Sequence, residues 1–74
     1  MKQEIKMTIM KKAQEVARES LNEETFLCEN KLVKVSEPIG ATGKRNISFK
    51  TAKKENANFT KLGYISDDCI HIMI

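Results

Sequence analysis

The stretch Val16-Ala17-Arg18-Glu19-Ser20-Leu21-Asn22-Glu23-Glu24-Thr25-Phe26-Leu27-Cys28 changes its hydrophobic period partway through. On its N-terminal side the apolar residues recur at helical spacing. Ile5, Ile9, Ala13, Val16 and Ser20 follow one stripe, with Met10, Ala17 and Leu21 beside it. Lys, Glu, Gln and Arg fill the opposite face, and all of them favour helix. A helix is expected over about residues 4–22. Its start has two readings, near Glu4 or after Thr8, because Ile5, Met7 and Ile9 also alternate and Thr8 would serve as an N-cap.

Beyond Glu24 the period becomes two. Thr25–Cys28 and Lys31–Ser36 are short β-rich runs split by Glu29-Asn30, and Asn tolerates the turn conformation that such a hairpin needs. Pro38, Gly40 and Gly43 then interrupt the chain. Asn46–Ala52 alternates, with Ile47, Phe49 and Thr51 on one face and Ser48 and Lys50 on the other. Phe59–Ser66 and Cys69–Ile74 complete the set, joined through Asp67-Asp68. The expected fold is α+β: one N-terminal amphipathic helix packed on an antiparallel sheet of four to five short strands. The alternative is a small, partly closed β-barrel with an N-terminal helix. The last strand is apolar on both faces except for His71, so a central or barrel-closing position is expected. Pairing with a second copy through Ile70, Ile72 and Ile74, giving a homodimer or higher oligomer, is the competing reading.

With 74 residues, the chain reads as one domain spanning 1–74. It is 41% hydrophobic and 31% charged, which excludes a disordered composition. No apolar run is long enough for a membrane span, and charges interrupt the first residues before any export signal forms. A cytoplasmic location is expected, so Cys28 and Cys69 are read as reduced and buried. A core this small supplies roughly 3–5 kcal/mol, which makes a partner useful.

Charge is unevenly distributed. Residues 1–14 carry +3, residues 15–37 carry −3, residues 38–61 carry +5 and residues 62–74 carry −2. In the strongly basic block, Lys44, Arg45, Lys50, Lys53, Lys54 and Lys61 are opposed only by Glu55, with Phe49 and Phe59 interleaved. Cations and rings together suit single-stranded nucleic acid, although alternation sends Phe49 to the core when Lys50 faces water. Glu15, Glu19 and Glu23 are spaced four apart, so they form one negative ridge on the helix. These two patches are the candidate partner-binding residues.

Motifs for catalysis fail on inspection. Gly40-Ala41-Thr42-Gly43-Lys44-Arg45 lacks the leading Gly of a phosphate loop, where Pro38 stands, and has Arg45 in place of its Ser or Thr. The better reading is a hairpin loop presenting Lys44 and Arg45. Cys28, Cys69 and His71 offer three donors, whereas a structural zinc site normally takes four, so no metal or other cofactor is expected. With one His and no nucleophile pattern, the chain reads as a non-enzyme.

Lys61-Leu62-Gly63-Tyr64-Ile65 followed by Asp67-Asp68-Cys69-Ile70 resembles the second motif of Sm-like RNA-binding proteins. The resemblance covers about ten residues. Ser66-Asp67 replaces that family's Arg-Gly turn, and its first motif is not found between Leu32 and Ile47. It implies five bent strands behind an N-terminal helix and an RNA-binding ring. The brevity and the Lys-, Asn- and Ile-rich usage resemble phage or mobile-element accessory proteins. The expected function is a small intracellular, non-catalytic binding protein that regulates or inhibits a larger protein. The alternative is a protein binding RNA or single-stranded nucleic acid through its basic 38–61 region.

Overall fold

A computed structural model describes residues 2–53, 56–67 and 69–73. Helix α1 spans Gln3–Glu19 and is followed by β1 (Glu24–Cys28), β2 (Lys31–Val35), β3 (Arg45–Thr51), β4 (Thr60–Ser66) and β5 (Cys69–Ile72). The helix begins early. Thr8 lies within it, its hydroxyl donating to the Glu4 carbonyl at 2.9 Å, so it is not the cap. Ile9, Met10 and Ala13 are the buried residues of the stripe, flanked by Ile5, Val16 and Ala17. The helix stops sooner than its periodicity suggests: Ser20 is already extended, and Leu21 is 76% exposed.

The five strands form one antiparallel sheet in the order β1-β2-β3-β4-β5. Alternation divides its faces. Phe26, Val33, Val35, Ile47, Phe49, Ile65, Ile70 and Ile72 pack with the helix residues into one core. The opposite face bears no helix. The sheet stays open, with β1 and β5 as its edges, so it is not the partly closed barrel of the alternative reading. The physical reason lies in α1, which covers the apolar face where the far wall of a barrel would otherwise stand. β5 is therefore an edge strand rather than a central or closing one, and the helix that packs across it buries Ile70 and Ile72 in part.

Two local features set the register. Between Ile47 and Ser48 the β3–β4 pairing shifts, letting Leu62 turn inward while Lys61 stays opposite Ser48. At Gly63 the neighbouring strand comes so close that a Cβ would lie 2.0 Å from the His71 carbonyl oxygen, so only glycine fits. In the β1–β2 hairpin the left-handed residue is Glu29, with φ 57°, and not the Asn30 that residue preferences favour.

Candidate functional site

Arg45 was expected on a surface loop, yet it is only 4% exposed. It opens β3 on the same phase as Ile47 and Phe49, so its side chain enters the core face. There Nε donates to the Ser36 carbonyl at 2.8 Å and one terminal nitrogen to the Asn22 carbonyl at 2.9 Å. The other terminal nitrogen donates to the carbonyls of Ala17 and Ser20. These are the acceptors that a helix leaves unpaired at its C-terminus, where the macrodipole also favours a cation. Arg45 is thus the cap of α1. Ser20 completes the turn, with its hydroxyl donating to a Glu24 carboxylate oxygen at 3.0 Å and accepting from the Asn22 amide.

Lys44, Lys50 and Lys61 of the basic block gather on the helix-free face. The register places Thr25, Lys34, Ser48 and Lys61 in one row across β1–β4, so Lys34 and Lys61 stand two strands, about 10 Å, apart. A second row holds Leu27, Leu32 and Lys50. A third holds Asn46, Tyr64 and His71. The Phe59 ring lies against this face, 4.9 Å from Lys34 Nζ and 5.2 Å from Lys50 Nζ. Tyr64 and His71 stack with centroids 4.5 Å apart, 13° from parallel, and Lys44 Nζ sits 4.3 Å from the Tyr64 centroid. Among the described residues, no Asp or Glu occupies a strand position on this face. At the rim, Glu23 pairs with Lys34 Nζ at 3.3 Å, and exposed pairs of this kind hold little energy.

The other candidates are dispersed. Lys53 is exposed in the turn after β3, and Lys54 and Ile74 lie outside the described residues. Glu15 and Glu19 are exposed on α1, but the helix ends at Glu19, so Glu23 leaves the expected ridge. Phe49 faces the core, in keeping with its alternation with Lys50. Cys28 and Cys69 sit on opposite edges and at opposite ends of the register, farther apart than the ~19 Å of four strand spacings, and neither is fully buried: Cys28 is half-buried and Cys69 exposed. A cavity of about 370 Å³ lies between the end of α1, the 38–44 loop and the β4–β5 turn, and Arg45 forms part of its wall. No helix among the described residues is long and apolar enough to cross a membrane.

Sequence reasoning missed Lys34, Tyr64 and His71 as members of this surface. The alternation of Lys34 with Val33 and Val35 was a usable signal, but strand order alone reveals that it joins Lys50 and Lys61. No protein-family model, curated protein or solved structure matches the chain.

Proposed function

We propose that this chain is a small non-catalytic binding protein that takes single-stranded nucleic acid on its helix-free sheet face. The observation that carries the reading is the composition of that face: Lys34, Lys44, Lys50 and Lys61 stand among Phe59, Tyr64 and His71, with no carboxylate at its described strand positions. Lysines follow the phosphates, while bases stack on the rings. In a duplex the bases already stack on one another, so a single strand gains more from exposed rings. Lys34 and Lys50 lie over Phe59 and Lys44 over Tyr64, so displacing a cation onto a phosphate exposes a π-face to a base.

Fluorescence anisotropy with single-stranded DNA and RNA tests this. Lys34→Glu, Lys50→Glu and Lys61→Glu together are expected to weaken binding at least about a hundredfold, since each removes a phosphate contact. A charge-matched control with Lys2→Glu, Lys11→Glu and Arg18→Glu on the helix side is expected to keep most of the affinity. Equal loss in both variants would reduce the attraction to net charge and defeat the reading.

One observation favours the second reading, a regulator or inhibitor that docks on a larger protein. Leu27, 61% exposed beside Leu32 on the same face, offers an apolar spot of the kind protein interfaces bury. On that reading, Leu27→Lys would abolish capture of the target while leaving oligonucleotide binding unchanged.

A further inference from the structure

We infer that the outer edge of β5 pairs antiparallel with β5 of a second copy, joining two five-stranded sheets and their helix-free faces into one surface. The pairing is argued from the edge itself; only its use as a doubled nucleic-acid surface rests on the function proposed above.

The backbone of β5 is poised for this. The Met73 amide donates to the Leu62 carbonyl at 2.9 Å, so Met73 points its amide toward β4. In an antiparallel ladder alternate residues bond to the same neighbour, so Cys69 and His71 also serve β4. The N–H and C=O groups of Ile70 and Ile72 therefore point out of the sheet edge. Their side chains pack on the core, which fixes the strand that presents them.

The two edges differ in how they meet a copy of themselves. Cys69-Ile70-His71-Ile72-Met73 contains none of the Lys, Pro or bulge that keeps an edge solitary, and the register shift in β4 lies on its β3 side. Two β5 strands can approach with no formally charged side chain among these residues, taking His as neutral. At the other edge, Glu24 opens β1, with Glu23 before it and Glu29 after it. Antiparallel pairing of two β1 strands would bring like charges together. Asp67 and Asp68 precede β5 as Glu23 precedes β1, but within the strands themselves only β1 carries a carboxylate, so like charge opposes a β1–β1 pairing more directly than a β5–β5 one. Met73, 57% exposed at the end of the strand, gains cover in the same contact.

Symmetry supplies the consequence. Identical antiparallel edges are related by a two-fold axis normal to the sheet, which keeps each face on its own side. Both helices then lie on one side of a ten-stranded sheet and both lysine–aromatic surfaces on the other. The Tyr64–His71 stack of each copy, on the two strands nearest that axis, adjoins its symmetry mate.

Sedimentation equilibrium on the full chain, from micromolar to millimolar concentration and without nucleic acid, tests the pairing together with amide hydrogen exchange. The mass is expected to rise from 8.4 kDa toward twice that value. Over the same range, exchange at Ile70 and Ile72 is expected to slow at least about tenfold, as for amides that enter a ladder. A monomer at millimolar concentration overturns the inference. So does a dimer in which these two amides exchange as fast as in the monomer. A protected dimer that ignores oligonucleotides sustains the pairing and counts only against the function proposed above.

Discussion

Arg45 brings a full charge into the interior, where four main-chain carbonyls accept its hydrogen bonds. A buried cation is tolerable only when such acceptors replace its water. Lysine cannot substitute, because a single ammonium does not reach acceptors spread around a planar fork. Arg45→Lys is therefore expected to cost about 2–3 kcal/mol, or more than ~10 °C in melting temperature for a chain of this size. Thermal melts followed by circular dichroism check this, and an unchanged midpoint would mean that the end of α1 needs no cap. The position was partly legible. Arg45 shares the phase of Ile47 and Phe49, yet the general rule that charges face water argued the other way. Nothing local revealed that the end of a helix 28 residues earlier would meet it.

At the scale of elements, the strands were the easiest part to read, because period two survives in a single run such as Asn46–Ala52. The helix end was harder. Leu21 continues the stripe, but the chain leaves the helix at Ser20 because Arg45 gathers the final carbonyls and Ser20 ties to Glu24. The pairing of β4 with β5 depends on Gly63. In Gly63→Ala the new methyl would meet the His71 carbonyl, so β5 must move or separate. The expected loss is on the order of 3 kcal/mol, as for an overpacked core. Chemical denaturation measures it, and a variant as stable as the parent would show that β5 can shift without loss. Ile72→Lys, by contrast, buries a charge in the core and says nothing specific about assembly.

At the scale of the molecule, the open sheet turns a linear charge pattern into a surface. The block 38–61 contributes Lys44, Lys50 and Lys61, loses Arg45 to the interior, and is joined by Lys34 from β2. Three or four phosphate contacts on one copy predict a slope of about −2 to −3 for the logarithm of affinity against the logarithm of salt concentration. Anisotropy titrations across a salt series measure that slope, and a flat response would remove phosphate recognition. By itself, the sequence determined the helix, the five strands and the inward or outward phase of most strand residues, because local periodicity records which side of an element meets the core. Only the tertiary structure decided that the sheet stays open, that β5 is an edge, that Arg45 caps the helix, that Lys34 shares a row with Lys61, and that Tyr64 stacks on His71. Those outcomes depend on strand order and on where the helix covers the sheet, relations between distant residues that no short-range pattern encodes.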